Sequence, residues 1–377
     1  MVVSISIEAY KYPETSDYPC QVCCRHVTTL QIPGQMNIIP SKIAKFINLE
    51  SLDVNKSLIR HLPNEIGALK ELKELYAEFN YLETLPESFT NLTKLTNLYL
   101  GKNSFRNIQS CVGQLSSLTH LDLHNNSLET LPIEIGNLSS LENLNLHYNK
   151  LSTLPYQIGL LSSLKILNLS RNQLKTIPIE MGLLTNLESL NLSTNKLSVF
   201  PEQLGSLTKL WKLKINSNKM FGKPISISNL SSLTHLDMYC NRINNIENIV
   251  KITSLVELNL ACNIIEEIPN NIEELKNLYF LDMNGNSVSY LPSQFSKLTS
   301  LLTLLFECND FKSFPSAINE LPVLKKFRLD YKTNSGLYIV CDSEPYVSRR
   351  MRIDIHPDLQ NYEFIKDGLL QNPNKLN

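Results

Sequence analysis

At 377 residues the chain exceeds the size at which a single globular core keeps growing. Its formal net charge of −1, from 35 basic and 36 acidic residues, argues against a mainly electrostatic partner such as nucleic acid or an anionic membrane. No apolar run approaches the roughly 20 residues that span a bilayer. The opening stretch, Met1 to Tyr10, carries no basic region and meets Glu8 before a secretory apolar segment can build up, so a leader is not expected. Cys20, Cys23, Cys24 and His26 follow at a spacing that suits zinc only with a second ligand pair at a defined distance. They read instead as packing residues of an amino-terminal cap over residues 1–26.

Val27 to Ile32 alternates like a short strand, and Ile39-Pro40-Ser41-Lys42-Ile43 reads as its return. From Leu49 one unit then recurs: L-x-x-L-x-L-x-x-N-x-L, followed by x-x-L-P-x-x-I-G-x-L. Twelve copies open at Leu49, Leu72, Leu95, Leu118, Leu141, Leu164, Leu187, Leu210, Leu233, Leu255, Leu278 and Leu301. Every step is 23 residues except Leu233 to Leu255, which is 22. A fixed period of this size marks a solenoid, and the leucine spacing marks a leucine-rich repeat. The expected fold is an α/β solenoid, a horseshoe with a concave parallel β-sheet and short helical or extended convex returns. A solenoid extends its core one repeat at a time, so the length needs no second globular domain.

Within the copy Leu141-Glu142-Asn143-Leu144-Asn145-Leu146-His147-Tyr148-Asn149-Lys150-Leu151, Leu144 and Leu146 face inward and Asn143, Asn145 and His147 face solvent. The ninth-position asparagine, present in eleven copies, can donate and accept where the chain bends inside the core. Pro opens the return in ten of the twelve copies, the exceptions being Gln109 and Glu247. Gly67, Gly113, Gly136, Gly159, Gly182 and Gly205 on the returns suit close chain approach. Leu324 to Leu329 starts a thirteenth strand, the pattern fails at Lys332, and Gly336 to Cys341 reads as a β-rich closure. The domains expected are the cap 1–26, a solenoid over 27–330, and a carboxy-terminal cap and tail over 331–377, with Gln371 to Asn377 disordered.

The cysteines do not flank the array as paired caps, which disulfide-capped secreted repeat proteins commonly have, so a reduced, cytoplasmic setting is expected. Cys240, Cys262 and Cys308, at the eighth position of their copies, are then thiols. The sequons at Asn91, Asn168 and Asn191 arise from a repeat rich in Asn, Leu and Ser.

Returns such as Leu131-Pro132-Ile133-Glu134-Ile135-Gly136-Asn137-Leu138 resemble the intracellular leucine-rich repeat class of Ras-pathway scaffold proteins and the plant intracellular Ras-group proteins. The resemblance covers about three quarters of the chain. It implies a non-catalytic scaffold with a small GTPase, and in that family also a type-1 phosphatase, as partner. One copy, Asn241-Arg242-Ile243-Asn244-Asn245-Ile246-Glu247-Asn248-Ile249, is instead similar to the 22-residue repeat of a phosphatase-regulating leucine-rich repeat subunit. The family's basic-Val-x-Phe phosphatase motif has no clean copy, since Arg25-His26-Val27-Thr28-Thr29 lacks the aromatic.

Solvent-facing positions three, five, seven and eight supply the candidate binding face. Tyr76, Phe79, Tyr99, His120, His124, His147 and Tyr148 cluster over four adjacent copies, and large rings favour protein contacts. Mutual support of neighbouring rings along the sheet is the alternative. Farther along, Trp211, Lys212 and Lys214 form a basic aromatic spot, with Asp237, Glu257 and Asp282 beyond it. Three imidazoles on neighbouring strands approach zinc geometry, but no carboxylate spacing recurs with them, so no metal and no cofactor are expected. Without a phosphate-binding glycine loop or a nucleophile motif, no enzyme activity is expected. The composite reading is a non-catalytic interaction scaffold in intracellular signalling that binds a protein on its concave face, a small GTPase being the candidate. Alternatives are a recognition or regulatory component of a phosphatase or kinase system, and a secreted recognition receptor.

Overall fold

The computed structural model describes residues 2–4, 24–32, 34, 36–333, 338–342, 365–366 and 369–370. Cys20, Cys23, most of the amino-terminal cap and the tail from Gln371 lie outside the described residues.

Each repeat folds as its pattern dictates. In the copy opening at Leu141, the strand is Asn143–Asn145, with Leu144 and Leu146 buried. The chain then turns through a left-handed residue at the eighth position, Tyr148, with φ of 56°. The same holds in all twelve copies, from Lys56 and Phe79 to Cys240, Cys262, Gly285 and Cys308. A side chain in this conformation costs about 1–2 kcal/mol, so something must hold the turn.

The ninth-position asparagine holds it. Asn149 is buried; its Oδ1 accepts the Leu128 N–H at 3.0 Å, and its Nδ2 donates to the carbonyls of Leu123 at 3.0 Å and Leu146 at 3.1 Å. One amide thus ties its own turn to the preceding repeat. In the first copy Ser57 stands in its place, and its buried Oγ has no hydrogen-bond partner. Asn80 reaches back 21 residues to the Ile59 N–H and 3 residues to the Ala77 carbonyl; the same steps from position 57 lead to Met36 and Val54. Ser57→Asn is therefore expected to stabilise the chain by about 1 kcal/mol. A rise in denaturation midpoint checks this, and an unchanged midpoint would show that the first turn does not accept the amide.

The return begins at a proline in extended conformation, such as Pro155 with φ −66° and ψ 145°, which leads into one 3-10 turn, Tyr156–Leu160. Ile158 and Leu161 close the core from below. Successive returns pack so closely that a Cβ on Gly136 would stand 2.7 Å from the Gln157 carbonyl oxygen, a distance no side chain tolerates.

The chain divides into two compact units, Met1–Lys196 and Leu197–Asn377. The first carries β1 (Val2–Ser4), β2 (Thr29–Gln31), β3 (Ser51–Asp53), β4 (Glu74–Tyr76), β5 (Asn97–Tyr99), β6 (His120–Asp122), β7 (Asn143–Asn145), β8 (Ile166–Asn168) and β9 (Ser189–Asn191), each parallel to the next. The register aligns core leucines, as in Leu121, Leu144 and Leu167.

In the second unit β10 (Lys212–Lys214), β11 (His235–Asp237), β12 (Glu257–Asn259), β13 (Phe280–Asp282), β14 (Thr303–Phe306) and β15 (Lys326–Lys332) are likewise parallel. The 22-residue copy keeps register, pairing Leu236 with Leu258. The deletion is absorbed after Ile243, whose N–H meets Asn263 Oδ1 over a separation of 20 residues rather than 21. There the return closes on hydrogen bonds from Ile249 and Val250 N–H to the Ile246 carbonyl. β16 (Tyr338–Asp342) pairs antiparallel with β15, covering a strand edge that would otherwise stay open. A short antiparallel pair, β17 (Ile365–Lys366) and β18 (Leu369–Leu370), follows.

Candidate functional site

Strand register brings the first unit's rings together. Tyr76 on β4 pairs with Tyr99 on β5, and their rings stack at 4.9 Å with planes 6° apart. Tyr76 Oη donates to Glu74 at 3.3 Å, and Asn97 Nδ2 donates to Tyr99 Oη at 3.2 Å. Burial first, then the Glu74 carboxylate, push the Tyr76 hydroxyl up, so it stays a neutral donor. Phe79 and Tyr148 sit on the left-handed turns and are exposed, at 43% and 51%. Cations attend both: Lys102 Nζ lies 4.0 Å and Lys56 Nζ 5.8 Å from the Phe79 ring centre, and the Arg171 guanidinium lies 5.9 Å from that of Tyr148. His147 approaches Tyr148 at 6.1 Å.

The three histidines have separate partners. Asn143 Nδ2 lies 2.6 Å from His120 Nε2, and the other ring nitrogen lies 2.9 Å from Thr119 Oγ1. An amide N–H facing Nε2 and a hydroxyl already donating to the Thr96 carbonyl assign the proton to Nδ1. Both ring nitrogens of His120 thus have partners. His147 Nδ1 lies 2.7 Å from Ser170 Oγ, whose own proton goes to Asn168. Burial, then Arg171 and His124, hold His147 below the usual imidazole range.

His124 differs, and it corrects the expectation that no carboxylate accompanies the histidines. Its Nδ1 lies 2.7 Å from Asp122 Oδ1 and 3.8 Å from Glu78 Oε1. Asp122 Oδ1 also accepts the His124 backbone N–H at 2.8 Å, and Oδ2 accepts Asn145 Nδ2 at 3.0 Å. The hydrogen bond to Asp122 raises the His124 pKa above 6.5 against the opposing effect of burial. Burial pushes Asp122 up, but the side-chain and backbone hydrogen bonds of His124 outweigh it, and the carboxyl lies below its ordinary value. Burial, then Asp122, push Glu78 up.

These shifts predict a pH dependence. A raised His pKa adds stability that is complete below the unfolded value near 6.5 and lost as pH rises through the folded one. The depressed Asp122 carboxyl adds stability that is complete above its unfolded value and lost as pH falls through the folded one. Melting temperature should therefore decline above about pH 6.5, and His124→Asn should flatten that part of the curve. A wild-type curve without the decline would contradict the pairing.

In the second unit Trp211, 40% exposed, meets His235 edge-on at 5.4 Å with Lys212 Nζ 5.5 Å from its ring centre. A shallow cleft beside them joins Lys212 and Lys214 to Asp237 and Glu257, with His235 Nε2 3.7 Å from Glu257. Burial pushes Asp237 and Asp282 up.

Sequence reasoning overlooked Lys56, Lys102, Arg171, Glu78, Gly101 and Asp122. Reading the seventh position down successive copies, Glu78, Gly101, His124, His147, would have exposed the acidic partner of His124. Among the described residues no helix is long and apolar enough to cross a membrane.

The pattern described as a leucine-rich repeat region matches residues 103–244 and 227–341, and a leucine rich repeat pattern matches residues 47–105. No curated protein matches the chain. Among solved structures, a leucine-rich repeat protein of Leptospira interrogans is 33% identical over 80% of this chain and 77% of its own, with a TM-score of 0.77. The plant peptide hormone receptor RGFR1, in complex with RGF2, is 28% identical over 82% of this chain and 56% of its own, with a TM-score of 0.67. An internalin, InlF, of Listeria monocytogenes shares the fold at 23% identity over 85% of this chain and 86% of its own, with a TM-score of 0.64. The family patterns, the Leptospira likeness and the ladder of ninth-position amides agree: this chain belongs to the leucine-rich repeat family.

Proposed function

We propose that the chain is a non-catalytic protein-interaction scaffold of intracellular signalling and that its partner docks on the strand face of the first unit. The observation that carries this reading is the Tyr76–Tyr99 stack, with exposed Phe79 and Tyr148 on turns of the same unit. Rings already ordered by stacking and by cations lose little freedom on binding, and desolvated aromatic anchors dominate interface energies. The exposed free thiols of Cys240, Cys262 and Cys308 favour a reducing, cytoplasmic setting. The L-P-x-x-I-G-x-L returns, similar to those of Ras-pathway scaffolds, favour a small GTPase as the partner. A regulatory role beside a phosphatase draws only on the copy around Asn241. A second reading, a receptor recognition domain, draws on the 28% identity to RGFR1.

The test compares Tyr99→Ala with Tyr148→Ala in one chain against Glu65→Ala with Glu134→Ala on the returns. Tyr148 is exposed and Tyr99 half-buried on the strand face, both outside the leucine core, so melting temperature should change little. Partner affinity should fall on the order of a thousandfold, from about 2 kcal/mol at each of the two anchors. Small GTPases and lysate-captured proteins are titrated with each variant. Normal binding by the tyrosine variant and loss with the glutamate pair would sink the reading. Capture of a secreted peptide instead of a GTPase would favour the receptor.

A further inference from the structure

We propose that Glu78, Asp122 and His124 form a binding site for a divalent cation of the zinc type. Asp122 and His124 stand two residues apart, so their side chains leave the same face of the sheet. Glu78 occupies the seventh position two repeats earlier, where two intervening strand spacings of about 4.8 Å would ordinarily keep it from His124. They meet because the repeat between them has glycine there. A Cβ on Gly101 would lie within the space of the His124 imidazole and 2.9 Å from Glu78 Oε1. Gly101 does not need a positive φ, since it is absent from the left-handed residues; what its missing side chain provides is room. The result is one nitrogen and two carboxylate oxygens all within 4.8 Å of one another.

The ligand types and spacing suit zinc. Nitrogen and oxygen ligands at about 2.0–2.2 Å in a tetrahedral site lie roughly 3.3 Å from one another. The 2.7 Å His124–Asp122 contact has to open slightly and the 3.8 Å His124–Glu78 contact has to close slightly. The carboxylate of Asp122 is already oriented by the Asn145 amide and the His124 backbone, as supporting groups orient the ligands of metal sites. Charge agrees as well. Two carboxylates and a neutral imidazole carry two negative charges, and on binding the cation replaces the proton that His124 Nδ1 shares with Asp122. Lys102 is the opposing charge; its Nζ is turned over the Phe79 ring. The three ligands are half-buried, which leaves a fourth position facing solvent for water or for a ligand supplied by a docked molecule. The site does not depend on the docking reading above, since the cation binds the free chain.

Calorimetric titration of the full chain with zinc, after stripping with a chelator, tests this. One equivalent should bind to wild type, and Glu78→Gln and His124→Gln should each weaken binding at least tenfold. Gly101→Ala, which pushes the imidazole and Glu78 apart, should do the same while keeping both ligands. Melting temperatures without metal identify any variant that fails to fold. Thiols are competing zinc ligands, so the titration is repeated after alkylation, which should leave the equivalent in place. Absence of binding, loss on alkylation, or binding that survives in Glu78→Gln or His124→Gln would overturn the site.

Discussion

Replacing Asn149 with alanine should lower stability by about 1–3 kcal/mol, although the side chain removed is small and polar. The Leu128 N–H loses its acceptor, and the carbonyls of Leu123 and Leu146 each lose a donor. Asn126 and Asn172 still donate to those carbonyls, so only the Leu128 N–H is left unpaired, at a cost of about 1–3 kcal/mol. The damage spreads because Tyr148 beside it holds φ of 56°, a conformation the amide helps impose. Asn149→Asp should be no milder: it keeps an acceptor for Leu128 but turns carboxylate oxygen toward two carbonyls. Urea denaturation followed by circular dichroism measures both variants. A wild-type midpoint for Asn149→Ala would show that these hydrogen bonds do not hold the turn.

Leu144→Ala should cost about 2–5 kcal/mol through the cavity it opens. Leu144 is 1% exposed and lies in register between Leu121 and Leu167. A solenoid sums nearest-neighbour interfaces, so the loss should stay local rather than unfold the chain in one step. Amide exchange should quicken first in the repeats around Leu121 and Leu167, and the denaturation transition should broaden. Uniform acceleration along the chain would argue against such local coupling.

Most of the repeat was legible from residue spacing alone. Leu144 and Leu146 inward, Asn149 at the bend and Pro155 at the return all follow from spacing, since a period-two strand and an obligatory donor–acceptor leave one workable arrangement. The irregular copy was legible as a missing residue. That it falls after Ile243, outside the strand ladder, came from hydrogen bonding, because a deletion inside the strand would have turned Leu258 to solvent.

The candidate face was legible as columns of residue types and not as contacts. Tyr76 and Tyr99 share a column, so their stack could be anticipated; the cations over Phe79 and Tyr148 could not, because a long lysine or arginine chain chooses its direction from its surroundings. The histidines show the limit most clearly. His120, His124 and His147 look alike in the sequence, yet their ring nitrogens meet Asn143, Asp122 and Ser170 respectively. The sequence by itself determined the repeat, its core and its turn amides, because those rest on periodic burial and on backbone groups that every copy must satisfy. Tertiary structure alone decided that Glu78 reaches His124 across Gly101 and that a left-handed residue sets each turn, because both depend on side-chain direction and backbone torsion, which residue spacing does not specify.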